Sequence, residues 1–286
     1  MQEIYHALSH LHQKTQVTAM PEHQKPLPEV IAHEATILIA EDNPVNMLLA
    51  ITILKRITPN ANLIQAKNGR EAVECCKMRL PDLILMDVQM PEMNGYEATR
   101  AIRNIDKAGQ IPIIALTAGN EKNERGRCME AGMSDFVTKP VVEQMIAQVL
   151  VTWLPAGNSP AEPVNNTLDD NVGIAFSHFN ISVMKDYFGD DPDLLKEVMT
   201  LTQEELEQGR INIKTAIKGQ HIQKINQAGH KLYGTAISAG LHGIAELART
   251  FDYATDFNRT YLEKQLDLLD KETKLVQKLF KQVNLK

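Results

Sequence analysis

The first half of the chain contains the segment Asp82-Leu83-Ile84-Leu85-Met86-Asp87, which is the clearest indication of its fold. It is a short apolar run that ends at a single carboxylate, Asp87. A strand that is apolar on both faces is typical of a parallel sheet with helices on each side. The stretch therefore predicts a buried parallel strand with an acidic side chain at its carboxyl end.

Similar apolar runs occur on both sides of this one, and amphipathic helical patterns separate them. An alternation of strands and helices predicts an α/β doubly wound domain with a five-stranded parallel sheet, and its site lies where the strands end. We assign this domain to residues 35–154. The other runs are Thr36–Ala40, Asn62–Ala66, Ile111–Leu116 and Asp135–Val137, and the helical patterns lie near 45–57, 70–79, 95–106, 121–131 and 141–154.

The second half of the chain has a different pattern. Residues 155–172 are rich in proline and small polar residues, which predicts a linker. Residues 173–286 lack strand-like alternation and show helical periodicity, which predicts an all-α four-helix bundle. The helical patterns lie near 180–188, 192–208, 210–218, 220–238, 241–256 and 259–282. Residues 1–34 form a possible short amphipathic helix and a linker, to which we assign no function.

The composition narrows the classes of function. A length of 286 residues favours two domains, and a net charge of −6 offers no basic surface for nucleic acid. The three cysteines fit neither a disulfide framework nor a zinc site, which indicates a reducing compartment. No apolar run is long enough for a transmembrane helix, and the first residues do not resemble a signal peptide. We expect a cytoplasmic protein without a nucleic-acid partner.

Five polar side chains follow the ends of the predicted strands of the first domain: Glu41, Asp42, Asp87, Thr117 and Lys139. In a parallel sheet these ends meet at one edge. Crowded carboxylates repel each other unless a hard divalent cation joins them, and oxygen ligands suit Mg²⁺. With the cation and Lys139 stabilising a transferring phosphoryl group, Asp87 can attack it to form an aspartyl phosphate. Thr117 can donate a hydrogen bond to a phosphoryl oxygen.

The first domain resembles the receiver domains of response regulators and hybrid sensor kinases over about 120 residues. The resemblance rests on the motifs Ile39-Ala40-Glu41-Asp42-Asn43, Leu85-Met86-Asp87-Val88-Gln89-Met90-Pro91-Glu92-Met93-Asn94-Gly95, Leu116-Thr117-Ala118 and Phe136-Val137-Thr138-Lys139-Pro140.

This resemblance implies a role for each matching residue. Asp87 is the phosphoacceptor, Asp42 a direct Mg²⁺ ligand and Glu41 a water-mediated one, and the backbone carbonyl of Gln89 is a further ligand. Thr117 and Phe136 correspond to a switch pair in which the aromatic ring follows the hydroxyl inward. The Lys139–Pro140 peptide bond is expected to be cis, an isomer that proline tolerates.

The helical pattern from Val45 to Ile57 is apolar around nearly its whole circumference, so we expect this helix to be buried on all sides. One face of such a helix stays open in a doubly wound domain. A helical phosphotransfer domain that docks there would bring its histidine to Asp87. The alternative is that residues 1–34 cover this face.

In the second domain, an apolar stripe defines the core side of the segment 220–238, and His230 falls outside it. Gly234 lies one helical turn further on and leaves space beside the imidazole. Glycine inside a helix costs about 1 kcal/mol relative to alanine, so clearance for a phosphoryl group and a docking receiver is a reason for its presence. An exposed imidazole is neutral and nucleophilic near pH 7. We expect His230 to be exposed. The stripe consists of Ile222, Ile225, Gly229, Leu232, Ala236 and Ala239.

The segment Ala228-Gly229-His230-Lys231-Leu232-Tyr233-Gly234-Thr235 resembles the signature of histidine-phosphotransfer domains, and the similarity extends over roughly residues 176–284. It implies that His230 is a second phosphoacceptor, supported by Lys231, Tyr233 and Gly234. Tyr233 stands where many members have a lysine. The version with an aromatic residue is similar to the terminal domain of BarA/GacS-type hybrid sensor histidine kinases.

We therefore interpret the chain as a two-component phosphorelay protein that carries phosphoryl on Asp87 and on His230. The resemblance implies a sensor histidine kinase as donor, a downstream response regulator receiver as partner, and docking of the two domains in cis or in trans. The sequence lacks a phosphate-binding loop of the GxxxxGK[ST] type and room for a kinase domain, so the donor is a separate protein or a preceding part of a larger kinase.

Two other functions remain open. An aspartate-nucleophile phosphatase also combines Asp, Mg²⁺ and Lys, although Gln89 stands where such enzymes have a second aspartate. An adaptor could retain both folds without being phosphorylated.

Overall fold

The computed structural model describes residues 34–117, 122–154 and 178–283. The predicted helix near the N-terminus and the predicted linker at 155–172 lie outside the described residues. In this part of the chain no helix is long and apolar enough to cross a membrane.

The first half contains one five-stranded sheet whose paired strands are all parallel, in the order β2-β1-β3-β4-β5. The predicted fold class is confirmed, and the bounds of β1 and β2 agree with the sequence prediction. The other three strands begin or end one or two residues later than predicted. The strands are β1 (Thr36–Ala40), β2 (Asn62–Ala66), β3 (Leu83–Asp87), β4 (Ile113–Thr117) and β5 (Asp135–Thr138).

Helices cover both faces of this sheet. Alternate residues of β1 and β3 belong to two separate apolar cores, as expected for strands buried on both faces. α1 and α5 contribute to one core, and α2, α3 and α4 lie at the other. The helices are α1 (Pro44–Ile57), α2 (Gly69–Met78), α3 (Gly95–Arg103), α4 (Lys122–Glu130) and α5 (Glu143–Trp153).

Local sequence fixes where α1 begins, directly after the acidic pair that follows β1. The side-chain oxygen of Asn43 accepts hydrogen bonds from the backbone amides of Val45 and Asn46, and Pro44 occupies the first helical position. An asparagine cap followed by proline is a favourable helix start, because the cap accepts from unpaired amides of the first turn and proline, which has no N–H, leaves one fewer to be paired. α1 therefore starts next to the carboxyl end of β1.

The second half is helical, and its long helices α7 to α10 pack into one four-helix region. The sequence pattern suggested two helices over 192–208 and 210–218, but this prediction was wrong, because one continuous helix spans both. Gly209 allows close packing and does not end the helix: a Cβ there would lie 2.9 Å from Cδ1 of Leu232. The helices are α6 (Ile181–Phe188), α7 (Pro192–Lys218), α8 (Ile222–Ser238), α9 (His242–Asp252) and α10 (Arg259–Gln282).

The two halves pack against each other through α1. This helix contacts α6, α7 and α8, and apolar residues from both halves share one continuous core. Near the end of α1, Arg56 donates a hydrogen bond to the backbone carbonyl of Tyr187 over 2.8 Å. The apolar circumference of α1 is thus explained, since the helical region of the same chain covers the face that the sheet leaves open.

Candidate functional site

The carboxyl ends of the strands bring together three carboxylates. Glu41 and Asp42 follow β1 and Asp87 ends β3, and one oxygen of each lies within 4.8 Å of the others. Asp87 is 2% exposed and Glu41 is also 2% exposed, so these charges are removed from water. Oxygen atoms at this spacing suit a hard divalent cation.

Lys139 supplies a buried positive charge next to two of these carboxylates. It follows β5, and its Nζ lies 2.7 Å from Oε2 of Glu41 and 2.8 Å from Oδ2 of Asp87. Burial lowers the pKa of Lys139, but the carboxylates of Asp87 and Glu41 outweigh burial and raise it above its usual value. Lys139 is therefore a fixed cation at neutral pH.

Glu41 is held from two sides. Its Oε1 accepts hydrogen bonds from the Asn43 amide over 3.3 Å and from Nδ2 of Asn46 over 3.2 Å. Burial, and then the charge of Asp87, raise the pKa of Glu41 to about 7, although Lys139 lowers it. Asp42 is less buried than Glu41. Burial still raises the pKa of Asp42 above its usual value, although the ammonium of Lys231 on α8 offsets part of this effect.

The structure also locates the other predicted site residues of this half. Thr117 is buried at the end of β4, where its backbone carbonyl accepts a hydrogen bond from the Lys139 amide over 2.6 Å. Phe136 is half-buried on β5, with the guanidinium of Arg125 5.6 Å from its ring centre. The Gln89 amide donates to Oδ1 of Asp87 over 3.2 Å. The Lys139–Pro140 peptide bond is cis, as predicted.

His230 lines the same cavity as the acidic cluster, on the wall that the helical half forms. This cavity has a volume of about 690 Å³ and is lined by Asp87, Lys139, His230 and Gly234, among others. The prediction of an exposed imidazole was wrong, because only 11% of the side chain is exposed. Asp252 of α9 contacts the ring, and Nδ1 of His230 lies 3.3 Å from Oδ2 of Asp252.

Polar side chains align the two walls of the cavity. Nδ2 of Asn43 donates to Oγ1 of Thr235 over 2.6 Å, and Oγ of Ser238 donates to Oδ1 of Asn46 over 2.8 Å. A Cβ at Gly234 would lie 3.0 Å from Nδ2 of Asn46. The clearance expected beside His230 is therefore used, at least in part, by the other half of the chain.

The three residues that the sequence placed around His230 have different surroundings. Tyr233 is buried, its hydroxyl accepts a hydrogen bond from Arg249 over 3.1 Å, and the Arg249 guanidinium lies 4.9 Å from its ring centre. Lys231 points to the receiver half, with Nζ 3.5 Å from Oδ2 of Asp42. Gly234 contacts that half directly, so two of the three lie at the boundary between the halves.

Sequence reasoning missed the residues that join the two walls. Asn43 was part of a recognised motif, but nothing in the sequence indicated its partner Thr235. Asp252, which lies beside His230, and Glu205 of α7, whose Oε2 lies 3.3 Å from Nζ of Lys231, were missed as well. Neighbours that are distant along the chain leave no local pattern. One signal was available for Asp252: it is an acidic residue at the end of α9, the helix after the one that carries His230.

Comparison with known proteins agrees with this architecture. Residues 37–151 match the response regulator receiver domain family. The chain is 30% identical over 253 residues to the sensor protein GacS of Pseudomonas syringae pv. syringae, an alignment that covers 85% of this chain and 27% of GacS. It is 25% identical over 217 residues to the histidine-protein kinase BarA of Escherichia coli K12, which covers 76% of this chain and 23% of BarA. The chain thus spans about a quarter of the length of these relatives.

A solved structure also matches. The receiver domain of the sensor histidine kinase PA1611 from Pseudomonas aeruginosa PAO1, which has a magnesium ion in its active-site cleft, is 35% identical with a TM-score of 0.40 and covers 42% of this chain and 98% of that one. The family match and the alignments lead to one assignment. Residues 37–151 are a response regulator receiver domain, followed by a helical region, in a chain homologous over most of its length to the GacS and BarA hybrid kinases.

Proposed function

We propose that this chain is a phosphorelay module in which Asp87 and His230 exchange a phosphoryl group, and that residues 173–286 act as a histidine-phosphotransfer domain. One observation carries the proposal: the buried carboxylate of Asp87 in the receiver half and the imidazole of His230 in the helical half line the same cavity. A nucleophile on each wall is the arrangement that direct transfer requires, because the reacting atoms must approach without rearrangement of either fold.

The acidic cluster fits Mg²⁺ by the chemistry of its donors. Three carboxylates within 4.8 Å of one another offer hard oxygen ligands. Asp42 and Asp87 would bind the ion directly, with Glu41 through water and the backbone carbonyl of Gln89 as a further ligand. When bound, the ion neutralises negative charge on the phosphoryl oxygens. The chain itself contributes Lys139, whose ammonium already contacts Asp87.

Transfer of the phosphoryl group between His230 and Asp87 needs no further reactant. An oxygen of Asp87 attacks the phosphorus of phosphohistidine, a P–O bond forms, the P–N bond breaks, and its electron pair returns to the imidazole. In the reverse direction Nε2 of His230 is the nucleophile, since Nδ1 lies beside Asp252. The carboxylate of Asp252 then pairs with the positive charge that develops on the ring. Thr117 donates a hydrogen bond to a phosphoryl oxygen, and Phe136 follows its movement.

The partners follow from the chemistry and from the relatives. A sensor histidine kinase supplies the phosphoryl group, as a separate protein or as another part of the same chain, and the receiver of a downstream response regulator accepts it from His230. The similarity to the sensor protein GacS and the kinase BarA supports this assignment. We propose a cytoplasmic setting for these reactions.

The test is to supply acetyl phosphate and Mg²⁺ and to map the label. Wild type is expected to carry a base-labile acyl phosphate on Asp87 and an acid-labile phosphohistidine on His230. Asp87→Asn is expected to lose both, and His230→Gln to lose only the acid-labile label. Asp106→Asn and His242→Gln, which change residues outside the cavity lining, serve as matched controls.

Two results would contradict the proposal. Wild type without label under these conditions would favour an adaptor that retains the folds alone. Continuous turnover of p-nitrophenyl phosphate, lost in Asp87→Asn, would instead favour a phosphatase.

A further inference from the structure

Lys231 contacts the receiver half through both its backbone and its side chain. Its backbone carbonyl accepts a hydrogen bond from Nδ2 of Asn43 over 3.2 Å. Its ammonium lies 3.5 Å from Oδ2 of Asp42 in the receiver half and 3.3 Å from Oε2 of Glu205 on α7. An ion pair therefore crosses the boundary between the halves and ends on a carboxylate of the acidic cluster.

Asp42 has two possible cationic partners. It belongs to the group of three carboxylates whose oxygens lie within 4.8 Å of one another, where a divalent cation would be held. It also forms the ion pair with Lys231. A divalent ion bound to the Asp42 carboxylate neutralises the charge that attracts Lys231. It also repels the ammonium, because two cations at one carboxylate are only a few ångströms apart.

Glu205 makes a change of partner feasible for Lys231. Its carboxylate is 17% exposed and lies on the same side of the boundary as Lys231. When a metal ion takes Asp42, the ammonium keeps this second partner and is not left unpaired in a partly buried position. The expected consequence is loss of the contact across the boundary, while the fold of the helical region is unchanged.

We propose that Lys231 couples divalent-metal binding in the receiver to docking of the two halves. Mg²⁺ and Lys231 compete for Asp42, so docking weakens Mg²⁺ binding, and Mg²⁺ weakens docking by the same factor, as thermodynamic linkage requires. This inference rests on the metal site of the proposed function but requires no phosphoryl transfer.

The decisive measurement is the affinity of the full chain for Mg²⁺ by titration calorimetry, without a phosphodonor. Lys231→Met is expected to bind Mg²⁺ about fivefold more tightly than wild type, the lower end of common coupling energies. Lys264→Met on α10 removes the same charge from an exposed position and is expected to change the affinity little. The comparison of these two variants separates a local contact from a change in net charge.

The dependence on docking is tested in a background that separates the halves. Gly234→Leu places a side chain where a Cβ already lies 3.0 Å from Nδ2 of Asn46. In this background Lys231→Met is expected to have no further effect on Mg²⁺ affinity. Ser238→Arg, at another buried boundary position, is a second undocking variant if Gly234→Leu does not fold. Small-angle scattering is expected to show that Mg²⁺ expands wild type more than Lys231→Met.

Each outcome has a distinct meaning. Equal Mg²⁺ affinities for Lys231→Met and Lys264→Met would overturn the coupling and leave the metal site intact. A Lys231→Met effect of the same size in the undocked background would also overturn it, because the effect would then be independent of docking. Absence of Mg²⁺ binding in every variant would overturn the metal site of the proposed function together with this inference.

Discussion

The two walls of the cavity are built in different ways. On the receiver wall, the reactive carboxylate of Asp87 is surrounded by charged side chains from the ends of β1 and β5. On the helical wall, the imidazole of His230 stands on one helix, and the polar contact described for its ring is Asp252. A dense charged cluster and a single supported nucleophile thus face each other.

The two walls differ because their chemical requirements differ. The receiver wall must hold several like charges at close range, which requires compensating charge and therefore many partners. The helical wall only has to present one ring at the right place, and a helix fixed by packing can do this with few polar groups. We therefore expect substitutions in the receiver wall to change both stability and chemistry, and substitutions in the helical wall to act mainly through packing.

The largest expected effect comes from Lys139→Met. This change removes the cation that contacts Glu41 and Asp87, and it leaves two buried carboxylates without it. The free energy of unfolding of the receiver is expected to fall by about 3–5 kcal/mol without divalent ions. Acetyl phosphate should label Asp87 about a hundredfold more slowly, because a preorganised positive charge is lost.

Chemical denaturation and label incorporation measure these two effects. Lys107→Met, at an exposed position outside the cluster, is the matched control and should change neither quantity by more than experimental error. Normal stability in Lys139→Met would remove the contrast between the walls, because the acidic cluster would then tolerate the loss of its cation.

Gly229→Ala tests the helical wall. A Cβ at this position would collide with the backbone amide of Asp252 and the carbonyl carbon of Phe251, neither of which can rotate away. We expect a loss of about 1–3 kcal/mol in the free energy of unfolding of the helical region, as for other overpacked sites. Labelling of His230 should also slow, since Asp252 would be displaced, whereas labelling of Asp87 by acetyl phosphate should not.

The same contrast explains what the sequence could predict. The parallel sheet and the convergence of Glu41, Asp87 and Lys139 follow from short apolar runs that end in polar residues, which is information contained in contiguous stretches. The bounds of β1, which is buried along its whole length, and of the partly exposed edge strand β2 agree with the structure. The convergence of these side chains at one edge of the sheet could thus be predicted from the sequence, whereas their chemical roles remain predictions.

The helical half was predicted less completely, for physical reasons. The predicted patterns at 192–208 and 210–218 left Gly209 between two helices, but close packing against Leu232 accommodates this glycine within one continuous helix. His230 was expected to be exposed because it lies outside the apolar stripe of its helix. The stripe identifies the core of one bundle, however, and carries no information about a second domain that covers the remaining face.

The boundary between the walls should respond more weakly to substitution. Ser238→Ala removes the hydroxyl that donates to Oδ1 of Asn46 over 2.8 Å, and both side chains are buried. The docked arrangement is expected to lose about 1 kcal/mol relative to the undocked one, since Asn46 regains water on opening. Small-angle scattering should show a larger undocked fraction, about fivefold in the ratio of the two forms. Thr200→Ala, at an exposed position of α7, should leave this ratio unchanged.

The smallest expected effect is an increase in the free energy of unfolding, and it compares packing in the two halves. Gly126 lies in α4 of the receiver, is exposed, and would have nothing within 4 Å of an added Cβ. Gly126→Ala is therefore expected to raise the free energy of unfolding by about 0.5–1 kcal/mol, because alanine has the higher helix propensity and nothing opposes its methyl group. Gly229→Ala makes the same chemical change within a helix, so denaturation of the two variants isolates packing as the difference. Stabilisation by both would show that α8 and α9 can separate slightly at no cost, and the support of His230 by Asp252 would then be looser than the close approach of these helices implies.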